Sequence, residues 1–335
     1  MRIVVIGGGI GGLAAATALS QKGFDVRVYE AAPELQPVGK GIWLPTNAML
    51  VLQRLGLDAP LLDLGVALEA VEILDAATGP VMHVDLDAVK KRLGQPFLSI
   101  HRHEVHQVLL AHLRPDSLHL GKRCVDIRRD LPKPVLRFAD GDDIEGDLVI
   151  AADGIHSRLR RLLFPQASLR YAGQTCYRGI AAVELPPALR RRALEVWGGD
   201  SRFGYSAIGE DQVYWFAPVT APPAPAGKHP VDPAELLRRY RSFPDPIPAL
   251  LENSDPNAVI RTDLYDLTPL DRWARGRVVL LGDAAHAMTP NLAQGGAQAI
   301  EDAYVLAQCL ASHGDLDEAL RAYQHKRVPR VRRVV

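Results

Sequence analysis

Short uninterrupted apolar runs recur along the chain, separated by amphipathic stretches of helical period. Residues 2–6, RIVVI, form a run that can be buried on both faces. IGGLAAATALSQKG (10–23) then carries apolar residues at helical spacing and ends near Gly23, and DVRVYE (25–30) predicts a second strand. Strand, helix and strand in so short a span predict a right-handed crossover, and therefore a parallel sheet. Three later segments carry the same signature: a helix over 102–113 (RHEVHQVLLAHL), a strand over 147–153 (DLVIAAD) and a strand over 277–283 (RVVLLGD). The parallel layer is predicted to be discontinuous in sequence.

Between these segments the texture changes. LEAVEILDAATGPVMHVDLD (68–87) and the stretch from Thr175 to Val219 are rich in β-branched and aromatic residues, with turn signals between runs, and predict a mostly antiparallel sheet. The expected fold class is α/β. A Rossmann-type domain with a parallel sheet is expected over 1–67, 101–170 and 270–335, and an inserted, mostly antiparallel β domain over 68–100 and 171–269. APPAPAGKHPVDP (221–233) is proline-dense and reads as a surface loop or short linker.

At 335 residues and 47% apolar content the chain can bury a substantial core. Its 39 basic and 39 acidic residues balance, so no net field gathers nucleic acid or anionic lipid. The basic run RVPRVRRVV (327–335) reads as a solvated helix face. Cys124, Cys176 and Cys309 lie far apart, with no C-x-x-C and no histidine at zinc-ligand spacing; they read as reduced, buried thiols, and no metal site is expected. The N-terminus opens directly into a strand, and no apolar run approaches the ~20 residues of a membrane span. A cytoplasmic enzyme, monomeric or homodimeric, is the expectation.

VIGGGIGGLAAA holds Gly7-x-Gly9-x-x-Gly12 between a strand and a helix, the context in which three glycines become informative. There the first glycine makes the tight turn, the second admits a pyrophosphate to the backbone, and the third lets helix and strand pack closely. The helix N-terminus offers unpaired N–H groups to the phosphates. Glu30 ends the second strand, where a carboxylate accepts hydrogen bonds from a ribose 2′-hydroxyl and repels a 2′-phosphate; FAD or NAD suits such a site better than NADP. Two further apolar strands end in acidic residues, at Asp153-Gly154 and Gly282-Asp283. Ligands of open parallel sheets lie beyond the carboxyl ends of the strands, and an acidic group there accepts hydrogen bonds from a polyol such as ribitol.

In this order the three motifs resemble those of the single-component flavin-dependent monooxygenases of the para-hydroxybenzoate hydroxylase type, over Met1 to about Tyr323. The chain is most similar to urate-hydroxylase-like and carotenoid-epoxidase-like members, through VYEAAPELQPVGKGIWLPTNAMLVLQRLGL, IHRHEVHQVLL and RFGYSAIGEDQVYWF. The resemblance implies bound FAD with NAD(P)H as a transient co-substrate. Reduced flavin then takes up O2 as a flavin C4a-hydroperoxide; one oxygen atom passes to an aromatic or polyene small molecule, by hydroxylation or epoxidation, and the other leaves as water. It implies further that Gly7, Gly9 and Gly12 hold the pyrophosphate, Glu30 the adenosine ribose, Val125 the adenine side, Arg102 the phosphate or ribityl region and Asp283 the ribityl chain. Gly11, Ala31, Trp43 and Ala297 complete the implied cofactor contacts. Asp153, with Arg160 assisting, is associated with both FAD and the nicotinamide, or else caps the helix that follows.

After Pro290 the loop NLAQGG leads into the helix GGAQAIEDAYVLAQCL. The N–H groups at Gly295 and Gly296 are thus expected at the pyrimidine edge of the flavin, where a helix N-terminus stabilises the anionic reduced form. Pro290 is expected near the flavin's reactive carbon. Relatives usually carry glycine where this chain has Ala293. Arg202 and Tyr214 match pocket-lining positions of urate hydroxylases; the arginine can fix a polar or anionic substrate and the tyrosine can orient a hydroxyl. Alternatively Tyr214 is sheet core and Arg202 serves the flavin. Tyr205, Trp215 and Phe216 either wall an apolar pocket or fill the sheet. His286 reads as organising its loop rather than as an acid or base. Two other functions are consistent with an FAD site: a reductase or saturase of an isoprenoid, which turns over without oxygen, and a non-catalytic FAD-binding protein.

Overall fold

The structure, a computed structural model, describes residues 1–35, 40–224 and 231–335. Of the proline-dense segment, residues 225–230 lie outside the described residues. A six-stranded sheet runs in the order Ala274–Arg275, Val278–Leu280, Leu148–Ala151, Arg2–Ile6, Asp25–Tyr29 and Leu118–His119. All its pairings are parallel except the short edge pair Ala274–Arg275 with Val278–Leu280. The central strands are apolar because both faces of the sheet are covered: the consecutive residues Val4 and Val5, Val149 and Ile150, and Val278 and Val279, which point alternately to the two faces, are all essentially inaccessible. Helix Ile10–Gln21 packs against the sheet and against helix Gly295–Ser312, which in turn packs on helix Leu316–Val331.

A seven-stranded sheet forms the second layer, in the order Ile260–Leu267, Leu169–Ala182, Gln212–Thr220, Ser201–Ala207, Arg192–Gly198, Ala70–Asp75 and Gly79–Asp85. It is antiparallel except where Ala70–Asp75 runs parallel to Arg192–Gly198. Alternation decides its two faces. Trp215, Phe203 and Tyr205 point to a core shared with Tyr240, Ile247 and Leu250 of helices Pro233–Tyr240 and Ile247–Glu252. Trp215 stacks on Phe203 with ring centroids 5.4 Å apart and donates its Nε1–H to Ser254 Oγ at 2.8 Å. Tyr205 and Trp215 therefore fill the sheet, whereas Tyr214 and Phe216 face the other way, toward the parallel layer.

Two small sheets were not apparent from the hydrophobic pattern. Gly41–Leu44, Phe97–His101 and Val66–Leu68 pair between the layers, and there Trp43 donates to Ser206 Oγ at 2.8 Å. Cys124–Arg128, Val135–Phe138 and Asp143–Glu145 form an antiparallel flap beside the parallel sheet. The C-terminal basic run is a correction to the sequence reading: Arg327 is 3% exposed and ion-paired, so that stretch is not simply a solvated face. Cys176 and Cys309 are buried thiols, but Cys124 is only half-buried.

Candidate active site

The glycine turn closes on itself. Gly7 has φ +108°, and a Cβ on Gly12 would lie 2.0 Å from the Gly7 carbonyl oxygen, so the helix starts in direct contact with the strand end. Glu30 folds back on this turn, accepting from the Gly8 N–H at 2.6 Å and from the Ala32 N–H at 2.8 Å. Beside it opens the outer lobe of a cleft, about 640 Å³, lined by Gly7, Glu30, Ala31, Val125 and Asp153 among others. Both oxygens of Asp153 are engaged with the helix Arg158–Leu163: Oδ1 accepts from Ser157 Oγ at 2.5 Å and Oδ2 from the Leu159 N–H at 3.1 Å. The helix-organising alternative for Asp153 thus has direct geometric support, while its carboxylate still borders the lobe.

Gly9, Ala152 and Gly154 are shared with an inner lobe of about 380 Å³, so the two lobes form one bent cleft over the carboxyl ends of the parallel strands. Gly11, Trp43, Arg102, Tyr214, Asp283, Pro290, Gly295 and Gly296 all border this inner lobe. Gly12 and Ala297 do not; Gly12 serves the turn and Ala297 is fully buried in the core. Burial pulls the Arg102 guanidinium below its ordinary pKa, opposed by the nearby Asp283 carboxylate. Helix Gly295–Ser312 begins at the lobe without a side-chain cap, leaving first-turn N–H groups for a ligand. Just before it, Ala293 adopts φ 53° and ψ 28°, the left-handed conformation that glycine takes without cost.

On the sheet side, Cys176, Arg178, Tyr214 and Phe216 line the inner lobe from two paired strands, with Arg178 opposite Phe216 in register. The Tyr214 ring lies against Gly41, where a Cβ would stand 2.2 Å from its Cγ. Burial pushes the Tyr214 phenol up to about 12, with Arg178 beside it pulling the other way. Arg178 was missed in the sequence. The signal was present, because TCYRGI sets Arg178 between Cys176 and Ile180 on one face of its strand, an odd place for a guanidinium.

Arg202 does not border the lobe. It pairs with Glu195 at 3.0 Å and donates to Asn291 Oδ1 at 2.9 Å, tying the sheet to the Pro290–Leu292 turn. Arg160 is buried and donates to the carbonyl oxygens of Asp283, Ala284 and Ile155, lashing the two acidic strand ends together. His286 lies behind the cleft, its Nε2 2.6 Å from the fully buried Asp302 carboxylate, in the loop-organising place expected of it. Among the described residues no group of His, Cys, Asp and Glu could hold a metal ion, and no helix is long and apolar enough to cross a membrane.

This arrangement matches known proteins along its entire length. The family model described as "FAD binding domain" covers residues 1–335. Aurachin C monooxygenase/isomerase of Stigmatella aurantiaca is 40% identical over 98% of the chain and 86% of its own length. An FAD-dependent urate hydroxylase of Klebsiella pneumoniae subsp. pneumoniae is 34% identical over 100% of the chain and 88% of its own. Among solved structures, Klebsiella pneumoniae HpxO complexed with FAD and uric acid superimposes with a TM-score of 0.91 at 33% identity, covering 100% of this chain and 86% of that one.

Proposed function

The chain belongs to the FAD binding domain family and is an FAD-dependent monooxygenase, and we propose that it oxygenates a planar, electron-rich aromatic ring carrying a polar or anionic oxygen. The residues present fit FAD. The cleft has one lobe bordered by a ribose-accepting carboxylate at Glu30 and a second bordered by an uncapped helix N-terminus, joined at a glycine turn with open space at Gly9. In this reading Gly7, Gly9 and Gly11 would accept the pyrophosphate, Glu30, Ala31 and Val125 the adenosine, and Arg102 and Asp283 the ribityl and phosphate region. Gly295 and Gly296 would present N–H groups to the flavin's pyrimidine edge, with Pro290 beside the ring. FAD, when bound, would supply the redox chemistry between NAD(P)H and O2, and the chain itself would position the reactants, set the local charge and exclude water. Dependence on NAD(P)H suits a cytoplasmic enzyme.

One observation carries the choice of substrate. Arg178 borders the inner lobe, forms no ion pair among the described residues, donates to Thr262 Oγ1 at 2.5 Å and stands beside the Tyr214 hydroxyl. A partly buried guanidinium without a carboxylate can take a ligand's oxygen as acceptor through a charge-assisted hydrogen bond. Tyr214, held protonated by burial, adds an O–H donor beside it, and Phe216, Trp43 and Met288 supply apolar walls for a ring. Arg202 acts in this scheme by fixing Asn291 next to Pro290 rather than by touching substrate.

The test is to purify the protein with FAD and follow NAD(P)H-dependent oxygen uptake over a panel of hydroxylated arenes and nitrogen heterocycles, with mass detection of the product. The expected result is bound flavin, substrate-stimulated uptake and a product heavier by one oxygen atom. Colourless protein that ignores added FAD, or uptake unmoved by every compound of the panel, would refute the assignment.

A further inference from the structure

The loop that closes the inner lobe runs from Gly282 to Gly296, and its two ends are fastened to one buried ion pair. At the first end, Asp302 Oδ2 accepts from the Gly282 N–H at 3.1 Å and pairs with His286 Nε2 at 2.6 Å. Asp302 Oδ1 meanwhile accepts from Arg327 Nε at 2.7 Å. At the second end, Arg327 Nη2 donates to both the backbone oxygen and the Oε1 of Gln298, at 3.1 and 2.7 Å. Gln298 Nε2 donates in turn to Gln294 Oε1 at 2.8 Å, and Gln294 is the residue from which helix Gly295–Ser312 starts. Arg327 also reaches Glu301, which accepts from Asn47 Nδ2 at 2.6 Å. Between the fastened ends the loop is open: Leu292 is 61% exposed and Ala293 is left-handed.

Asp302 is 0% exposed and Arg327 3% exposed, and neither borders the cleft. A buried ion pair is no general device for stability, since apolar residues of the same volume often serve as well or better. Its retention at this place needs another reason. An ion pair with five further hydrogen bonds, to four residues, fixes direction and distance in a way that apolar contacts do not. Here it fixes the spacing between the backbone that carries Asp283 and the helix N-terminus at Gly295.

We propose that Asp302 and Arg327 are positioning residues for the flavin: through Gly282 at one end and the Gln298–Gln294 arm at the other, they set how closely the loop's carboxylate and helix N–H groups approach the cofactor. This rests on the reading that the cleft holds FAD. A helix N-terminus stabilises the anionic reduced cofactor only within its first turn, so a loosened loop makes reduction harder and lets activated oxygen escape as hydrogen peroxide.

The test uses the FAD-loaded full chain and reads the flavin midpoint potential by equilibration with a reference dye, alongside the FAD dissociation constant and the melting temperature. Gln298→Leu removes the arm while leaving the Asp302–Arg327 pair in place, Arg327→Met breaks the pair, and Arg327→Lys keeps a cation at Asp302. Leu320→Ala is the control, because it removes buried packing from the same C-terminal helix without touching the loop. The expected result is a more negative potential in Gln298→Leu and Arg327→Met, partial recovery in Arg327→Lys, and an unmoved potential in Leu320→Ala despite its lower melting temperature. An unchanged potential in Gln298→Leu, or an equal shift in Leu320→Ala, overturns the proposal. Failure of the unsubstituted protein to bind FAD overturns instead the reading on which it stands.

Discussion

Replacing Ala293 by glycine tests the loop over the inner lobe at its point of greatest backbone strain. Ala293 sits at φ 53° and ψ 28° with its N–H bonded to the Pro290 carbonyl at 2.9 Å, so it cannot relax without opening the Pro290–Leu292 turn. A left-handed residue with a Cβ costs about 1–2 kcal/mol. Glycine removes that cost but loses more freedom on folding, by about 0.5–1 kcal/mol, leaving a net gain of about 1 kcal/mol. If the loop must be ordered to receive the flavin, the gain appears in cofactor affinity, as a dissociation constant lowered about fivefold at 1.4 kcal/mol per factor of ten. Asparagine, which tolerates this conformation, should fall between alanine and glycine, and valine should be worst. Fluorescence titration of apoprotein with FAD measures all four. Weaker binding by the glycine variant, or a valine variant equal to alanine, would refute the claim that strain here is coupled to cofactor binding.

Other substitutions separate the parts of the site. Gly12→Ala puts a Cβ 2.0 Å from the Gly7 carbonyl, backbone against backbone, and is expected to give protein purified without flavin, read from its visible absorbance. Gly41→Ala drives a Cβ into the Tyr214 ring and should leave flavin content intact while raising the KM for the aromatic substrate. Arg178→Met removes a charge-assisted contact of about 1.5–3 kcal/mol, a loss of roughly 10- to 100-fold in kcat/KM with FAD still bound. Asp302→Asn leaves Arg327 with Glu301 as its remaining counter-ion, so the loss in urea unfolding at neutral pH should fall below the roughly 3–5 kcal/mol of a fully broken buried pair. Burial by itself would raise the Asp302 carboxyl, but His286 and Arg327 hold it below the ordinary value. A depressed carboxyl stabilises the fold above its unfolded pKa of about 3.9 and ceases to as pH falls through the lower folded value. The gap between the unsubstituted protein and Asp302→Asn should therefore be full above about pH 5 and narrow below about pH 4.

The elements that carry the cleft were legible because their burial is one-dimensional. Val4, Ile150 and Val279 are covered on both faces, so their strands read as unbroken apolar runs, and each ends in glycine or aspartate where the chain must turn to meet a ligand. The flap Cys124–Arg128, Val135–Phe138 and Asp143–Glu145 was not legible, because one side faces solvent and charged residues interrupt every run. The parallel pairing of Ala70–Asp75 with Arg192–Gly198 depends on contacts more than a hundred residues apart, which no local pattern contains. The two sheet arginines show the same limit at a single residue. Arg178 and Arg202 both sit in aromatic-rich strands, and only the register that sets Arg178 opposite Phe216, and Arg202 opposite Trp197 beside Glu195, decides which borders the cleft. Asp302 and Arg327 read as polar helix positions until two separate helices pack them together.

Left-handed backbone collects around this cleft. Gly7, Gly154, Gly282 and Ala293 all have positive φ, and all four border it. Such conformations turn successive N–H groups away from helix and sheet ladders and toward a ligand, which lets an anionic dinucleotide be held by main chain rather than by salt bridges. A main chain used in this way gives up its own hydrogen-bonded support and needs fastening from behind. Each of these turns has it: Glu30 at the glycine turn, Asp153 and Ser157 behind Gly154, Asp302 behind Gly282, and the Arg327–Gln298–Gln294 arm behind Ala293. The carboxylates that a motif search marks as ligand-binding thus divide by geometry. Asp283 is exposed to the cleft, whereas Asp153 is tied to its own helix. Selection on the fastening groups would act through the shape of the loops, so their loss should first be seen in the cofactor's properties and only then in the fold.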